Sequence, residues 1–292
     1  MSECAADPQG RPFFAMVCYG PPHSPMIAPK HWLELYSPEE VPIRENTPEP
    51  ARQRARAFLA KYYGLVGNVD YNIGRLLDWL DSRDLAEDTV VIMVSDHGDM
   101  AGEHGRFGKK TYFEASMRVP FLMRYPRRWP AGRAVESFVD PSVDLPPTML
   151  ELCGIPVPRY MQGESLAPLM EGRAERGRDH AFYEICMEKE GPEKFPIPER
   201  GVRTRDWLYV RTPEGPKALY DLRQDPLETR NLAGTPSAAA PIAELEAILR
   251  ENMTRTGDDW AFEAVFPPPN FQTHEDGDAQ RDAFLREAIV EP

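Results

Sequence analysis

Two candidate metal-ligand side chains stand together directly after an apolar run that is typical of a strand. Asp96 and His97 follow the residues VVIMVS, and Lys109 lies a dozen residues further along. At the carboxyl end of a strand, a carboxylate oxygen and a ring nitrogen can reach the same cation. Lysine is a compact point charge that suits a tetrahedral anion. The pattern therefore favours a cation site with an anion site beside it.

A histidine follows a second apolar run. His23 comes after Arg11–Gly20 and lies within PPHSP, whose prolines would fix the backbone around the ring. If both runs are strands of one sheet, we expect His23, Asp96, His97 and Lys109 to meet at one edge. A cation, a histidine and a lysine in one place are chemistry for an oxyanion ester.

Each of these side chains also has a plainer interpretation. Asp96 could simply end its strand in an Asx turn, with His97 solvated beside it. A surface-loop histidine explains His23 equally well on local grounds. Lys109 and Lys110 could be a solvated pair, and for Lys110 we prefer that interpretation. The functional interpretation gains weight only from the number of these residues.

The elements that would position these side chains alternate between strand and helix. Apolar residues recur at spacings of three and four between Leu59 and Leu80, which predicts a helix from Ala51 to about Arg83. Strands are predicted at Thr89–Ser95, apolar on both faces like a central parallel strand, and at Val119–Tyr125. The residues DLPPTMLELCG predict a short helix with prolines near its start. This order indicates a layered α/β domain.

After about residue 172 the pattern changes to short strands. HAFYEIC, RGVRTRDWLYVR and KALYDL predict antiparallel strands joined by the turns TRDW and PEGP, and Ala240–Met253 predicts a helix packed against them. We therefore predict two domains, 1–172 and 173–292. The second ends in a Pro- and Asp-rich tail. We interpret the pair Asp258 and Asp259 as a solvated helix end.

Composition argues against several classes of function. The net charge of −13 leaves no general basic face for nucleic acid. No apolar run approaches the length of a membrane span, and the first residues lack the basic and apolar parts of a signal peptide. The four cysteines form no CxxC pair, which suits a reducing compartment. We expect a cytoplasmic protein with neither nucleic acid nor membrane as a partner.

Five segments, in order along the chain, resemble the type I sulfatases of the alkaline phosphatase superfamily. They are PFFAMVCYGPPHSP, YYGLVGNVDYNIGRLLDWLD, TVVIMVSDHGDMAGEHGRFGKKTYFEASMRVPFLMRYP, VDLPPTMLELCGIPVP with MQGESLAPLM, and ALYDLRQDPLETRNLA. The resemblance implies a sulfuric ester hydrolase. It also implies an alkaline-phosphatase-like α/β sheet domain, incomplete at its N-terminus, followed by a smaller antiparallel α+β subdomain.

The resemblance assigns roles to the four candidate residues. Asp96 and His97 fall on two of the family's metal ligands. Lys109 falls on the lysine that contacts the sulfate and leaving-group oxygens, and His23 on the histidine that binds sulfate and protonates the leaving group. The family's usual cation is Ca²⁺. Because calcium prefers oxygen ligands to histidine, Mn²⁺ stays open.

The family's nucleophile has no counterpart among these residues. Sulfatases carry a Cys/Ser-x-Pro-x-Arg motif that is oxidised to formylglycine, and no cysteine or serine of this sequence stands in it. The paired aspartates that complete the family's metal site are also absent. We expect both in an N-terminal portion outside these residues, so that the chain alone has little activity. A homo-oligomer or a complementing N-terminal chain is the expected partner, because the sheet would have an unpaired edge.

Two alternative functions stay open. Phosphodiester and phosphonate monoester hydrolases of the same superfamily share the DHG and lysine elements. A non-catalytic pseudoenzyme, or a subunit that complements another chain, would also carry them. The natural substrate, whether a carbohydrate sulfate, an aryl sulfate or something smaller, is not encoded in these motifs.

Overall fold

A computed structural model describes residues 11–185 and 198–258 of the chain. We number the α-helices α1 to α6 and the strands β1 to β6. The helices are α1 Lys30–Leu33, α2 Glu49–Asp81, α3 Glu114–Met117, α4 Pro141–Leu152, α5 Ala167–Met170 and α6 Ala239–Thr256. The strands are β1 Val91–Val94, β2 Phe121–Arg124, β3 His180–Ile185, β4 Glu199–Thr204, β5 Trp207–Thr212 and β6 Gly215–Asp221. The fold is therefore mixed α/β, as predicted.

The chain divides into two compact units. The first contains the described residues up to Asp179 together with Leu227–Thr229, and the second contains the remaining described residues. The predicted domain division at residue 172 stays a prediction. All four candidate site residues belong to the first unit.

The helix predicted from Ala51 is confirmed as α2. Pro50 lies in its first turn, where the missing amide hydrogen costs nothing. Ala55 and Leu65 are fully buried, and the Ser82 amide closes the last turn on the Asp78 carbonyl at 2.9 Å. Its buried residues are Ala55, Ala60, Gly64, Leu65 and Leu80, whereas Val66 of the predicted apolar stripe is exposed.

Strands β1 and β2 pair antiparallel, with Val91 opposite Arg124 and Val94 opposite Phe121. The predicted central parallel strand was therefore wrong in its pairing. Parallel neighbours need a crossover of roughly a dozen or more residues, usually a helix, and residues 95–120 contain only two short helical segments, the 3₁₀ turn Glu103–Gly105 and the four-residue α3. The predicted burial of Thr89–Ser95 on both faces was wrong as well, because Val94 at the end of β1 is 37% exposed.

The strand predicted at Arg11–Gly20 was also wrong. This segment forms neither helix nor strand, and its side chains Phe14 and Met16 are 76% and 77% exposed. An apolar run becomes a strand only when a neighbour completes its hydrogen bonds. None of the described strands pairs with this segment.

The short helix α4 begins earlier than the sequence predicts. The Asp140 carboxylate accepts a hydrogen bond from the Ser142 amide at 3.0 Å and caps the helix. Pro146 and Pro147 therefore lie inside the helix and not at its start. The cap is a local side-chain contact that helical periodicity alone does not reveal.

The second unit confirms the predicted antiparallel sheet. Its strands lie in the order β3-β4-β5-β6, each antiparallel to the next. Helix α6 packs its apolar face on the sheet in a core of Val202, Tyr209, Leu219, Leu245, Leu249 and Met253. Asp258 is not the solvated helix end that the sequence suggested, because it pairs with the Arg200 guanidinium at 2.6 Å. Asp259 lies outside the described residues.

Candidate functional site

The turn after β1 places Asp96 and His97 by a close approach of two backbone segments. The Gly98 amide donates to the Ser116 carbonyl at 2.8 Å, and the Ser95 hydroxyl donates to the His97 carbonyl at 2.9 Å. A Cβ atom on Gly98 would lie 2.1 Å from the Ala115 carbonyl oxygen, so only glycine fits there. The glycine of the DHG motif thus lets the turn pack against the start of α3.

Asp96 and His97 each direct one potential metal-ligand atom toward the other residue. The Asp96 Oδ1 atom accepts from the His97 amide at 3.0 Å, which leaves Oδ2 available. The His97 Nδ1–H donates to the Gly98 carbonyl at 2.8 Å, so its partners assign the lone pair to Nε2. Asp96 Oδ2 and His97 Nε2 lie 3.5 Å apart. A backbone carbonyl that fixes the ring nitrogen in this way is the usual arrangement around a metal-bound histidine.

This pair fits two positions of a cation's coordination shell. Two atoms 3.5 Å apart can both lie within the ~2.0–2.6 Å that separates divalent cations from protein ligands. Among the described residues, no group of three or more His, Cys, Asp and Glu side chains could hold a metal ion. Asp96 is mostly exposed, with 84% of its side chain accessible to solvent. Ligands from elsewhere, or water, must therefore fill the other positions.

His23 and Lys109 form a direct contact. The His23 amide donates to the Gly20 carbonyl at 3.0 Å, which fixes the turn, and its Nδ1–H donates to the Ser24 carbonyl at 2.5 Å. Lys109 Nζ lies 2.5 Å from His23 Nε2. These partners assign a neutral ring, with the Nε2 lone pair accepting a proton of the ammonium group. The Lys109 ammonium group therefore donates a hydrogen bond to the His23 ring.

The structure brings all four predicted residues together. The ring centroids of His23 and His97 lie 6.3 Å apart, so the lysine–histidine pair lies next to the Asp96–His97 pair. Lys110, interpreted as solvated, is exposed. A positive group and a hydrogen-bonding ring therefore stand beside two potential ligands of a cation, an arrangement that can bind a tetrahedral anion.

The loop between the two pairs is closed by hydrogen bonds within its own backbone. The Met100 amide donates to the Gly108 carbonyl at 2.7 Å, and the Gly102 amide to the Arg106 carbonyl at 2.8 Å. The Asp99 carboxylate adds two more, from the amides of Ala101 at 2.8 Å and Gly108 at 3.0 Å. Lys109 therefore emerges from a closed loop and not from a free one.

Helix α2 holds this loop from outside. The Phe107 ring lies 4.0 Å from the Arg54 guanidinium and 5.6 Å, edge to face, from the Phe58 ring. Burial raises the pKa of the Tyr62 phenol, and the charge of the Asp99 carboxylate raises it further. The loop thus contacts the helix through Phe107, and the charge of Asp99 acts on Tyr62 one turn further along.

The sequence interpretation overlooked the residues that hold the loop. Asp99 lies two residues before Ala101, which is the spacing of an Asx turn, and that signal was present in SDHGDM. Phe107 offered no comparable signal, because its partners on α2 lie about fifty residues away in sequence. Short-range spacing can reveal the first kind of contact but not the second.

Two family models match the chain. Residues 2–155 match the model described as Sulfatase. Residues 102–255 match the model of the C-terminal region of N-sulphoglucosamine sulphohydrolase. Together they span both compact units.

Individual relatives agree with the family models. The chain is 33% identical to the ulvan-active sulfatase of Formosa agariphila, over 85% of this chain and 49% of that protein. It is 31% identical to the N-acetylglucosamine-6-O-sulfatase of Bacteroides thetaiotaomicron, over 69% of this chain and 36% of that protein. The phosphonate monoester hydrolase of Silicibacter pomeroyi superposes with a TM-score of 0.73 at 26% identity, over 82% of this chain and 55% of that one. The chain thus spans about half the length of these relatives or less. Separately, none of its described helices is long and apolar enough to cross a bilayer.

Proposed function

This chain belongs to the sulfatase family of the alkaline phosphatase superfamily, and we propose that its site binds and helps to hydrolyse a sulfate ester. The observation that supports the proposal is the cluster of four residues. The Lys109–His23 contact lies beside the Asp96–His97 pair. Three separate segments of the chain supply these side chains, so the cluster is a product of the fold.

The Lys109–His23 pair would bind the sulfate group and assist the leaving oxygen. Lys109 offers a charged donor to a sulfate oxygen, and such charge-assisted hydrogen bonds are stronger than neutral ones. The Nε2 atom of His23 already accepts a proton from Lys109. We infer that this pair would supply the proton for the leaving oxygen.

Asp96 Oδ2 and His97 Nε2 are the atoms that would hold a divalent cation. When bound, such a cation supplies positive charge that stabilises the oxyanion of the transition state. Ca²⁺ is the family's expectation, and the imidazole ligand keeps Mn²⁺ as a second candidate. Two ligands alone hold either cation weakly, since water must supply the rest of the shell.

The attacking group is the part of the reaction for which these residues offer no candidate. None of the four cysteines stands in Cys-x-Pro-x-Arg, and no serine stands in the corresponding motif. We propose that a segment carrying formylglycine completes the site, either upstream or as a complementing chain. Without it, binding and charge stabilisation leave most of the barrier in place. A non-catalytic role for the chain alone is the corresponding alternative.

The chemistry of the substrate follows from the relatives only as a class. The two sulfatases named above carry ulvan and N-acetylglucosamine in their names, which favours a carbohydrate sulfate. The likeness to a phosphonate monoester hydrolase favours a second candidate function on phosphonate monoesters or phosphodiesters. Both substrate classes present a tetrahedral oxyanion to Lys109.

The test compares aryl sulfate hydrolysis by the chain alone and by the chain co-expressed with a sulfatase N-terminal segment. That segment carries Cys-x-Pro-x-Arg, whose cysteine is matured to formylglycine. Both samples are assayed with Ca²⁺ and with Mn²⁺. We expect turnover only in the completed enzyme. Lys109→Ala should lower kcat by about 10²–10³, the usual effect of removing one oxyanion donor. The adjacent Lys110→Ala is the matched control and should change kcat less than about twofold.

Three outcomes would contradict the proposal in different ways. Turnover by the chain alone that survives replacement of each of the four cysteines would place the nucleophile elsewhere. A kcat/KM that is higher for phosphonate monoesters than for sulfate esters would favour the second candidate function. Binding of inorganic sulfate without turnover by the completed enzyme would favour a non-catalytic role.

A further inference from the structure

We propose that Asp99 is a positioning residue, whose carboxylate closes the loop 99–108 and thereby places Lys109 beside His23. This role goes beyond ester hydrolysis as such, because the hydrogen bonds of the Asp99 carboxylate go to backbone amides of the loop.

One oxygen of Asp99 joins the two ends of the loop. Asp99 Oδ1 accepts hydrogen bonds from the Ala101 amide at 2.8 Å and from the Gly108 amide at 3.0 Å. Gly108 is the residue directly before Lys109. The carboxylate therefore fixes the peptide unit from which the lysine side chain begins.

These hydrogen bonds matter because two residues of the loop have an unfavourable backbone conformation. Ala101 and His104 have positive φ angles of 47° and 54°, a region that is unfavourable for non-glycine residues. A carboxylate forms stronger hydrogen bonds to backbone amides than a neutral acceptor does. The hydrogen bond to the Ala101 amide thus directly stabilises one of the two residues with a positive φ angle.

The position of the loop matters for the lysine more than for the rest of the fold. The Lys109 side chain has four flexible carbons, and a short contact with His23 Nε2 at 2.5 Å fixes its end. A shift of the loop at Gly108 would move the base of the side chain and break that contact. Asp96 and His97 are placed independently, through Gly98 and Ser116, so they would stay in place.

The experiment measures how fast an amine-specific acylating reagent modifies Lys109 relative to Lys110, with mass spectrometry to separate the two sites. Lys109 is half-buried and hydrogen-bonded, whereas Lys110 is exposed, so Lys109 should react more slowly. In Asp99→Ala, the Lys109:Lys110 ratio should rise about two- to tenfold, the factor by which one hydrogen bond shifts an equilibrium. Asp99→Asn keeps the Oδ1 acceptor and should restore most of the wild-type ratio.

Asp140→Ala is the matched control for lost stability. Asp140 also caps backbone, at the start of α4, where its carboxylate accepts from the Ser142 amide. It should lower the melting temperature and leave the Lys109:Lys110 ratio unchanged. If Asp99→Ala does not fold, Asp99→Glu takes its place, because one extra methylene displaces the carboxylate while keeping its charge.

The outcomes separate this proposal from the proposed function. An unchanged ratio in folded Asp99→Ala or Asp99→Glu overturns the positioning role and leaves ester hydrolysis untouched. An equal rise in Asp140→Ala would reduce the effect to general loosening and would also overturn it. Because no activity is measured, a failure of the hydrolase proposal does not alter either result.

Discussion

The position of the candidate site depends on the absence of a Cβ atom at Gly98. The turn after β1 packs against the Ala115 carbonyl so closely that a Cβ atom would lie 2.1 Å from its oxygen. The contacting atoms belong to the backbone, so they cannot move aside by a side-chain rotation. The two candidate metal ligands, Asp96 and His97, directly precede this point.

Gly98→Ala should therefore lower stability and displace the site. We expect a loss of about 1–3 kcal/mol in the free energy of unfolding, as for other overpacked positions, measured by urea unfolding. Gly74→Ala is the matched control, because Gly74 lies within α2 with no atom near its Cβ position. It should raise stability by about 0.5–1 kcal/mol, since alanine favours a helix over glycine. Equal stabilities for the two variants would show that the turn relaxes freely.

Between elements, the packing of α6 on its sheet contains a buried phenol. Tyr209 on β5 is fully buried and donates to the Glu246 carboxylate on α6 at 2.8 Å. Burial raises the pKa of Tyr209 well above its ordinary value, and the hydrogen bond to Glu246 raises it further. The folded protein therefore keeps this phenol protonated where the unfolded chain would lose the proton.

The sign of the resulting pH dependence follows directly. Above about pH 10, where a free tyrosine ionises, the unfolded state binds fewer protons than the folded state. The contribution of Tyr209 to stability is thus complete below about pH 10 and is lost as the pH rises toward its folded-state pKa. Tyr209→Phe should cost about 1 kcal/mol at neutral pH and should flatten the decline above pH 10. Urea unfolding across this range would contradict the assignment if both proteins declined in parallel.

At the scale of the whole molecule, the sequence predicted local secondary structure better than it predicted which segments contact each other. The α2 periodicity, the four antiparallel strands of the second unit and the α6 helix were all confirmed. The four site residues were named correctly as neighbours, because each follows a recognisable motif. Their chemical roles stay predictions.

The Asp99 turn and the Asp140 cap are local contacts that sequence spacing could have revealed, but the other failures concern contacts that no local pattern records. The pairing direction of β1 and β2 depends on the length of helix between them, and the strand expected at Arg11–Gly20 depends on a neighbour that the described residues do not supply. Phe107 meets Arg54 only because the loop folds back on α2. An apolar run reveals that a segment can be buried, but its sequence does not contain the identity of what buries it.

The exposed Arg11–Gly20 segment also makes the chain vulnerable to endoproteases. Proteases act first on exposed segments without regular structure, and a chymotrypsin-type pocket accepts an aromatic side chain such as Phe14, which is 76% exposed. Cleavage there would leave His23 attached to the rest of the site. A partner strand that covered the segment would block the cut, so resistance to digestion would report when this part of the chain is paired.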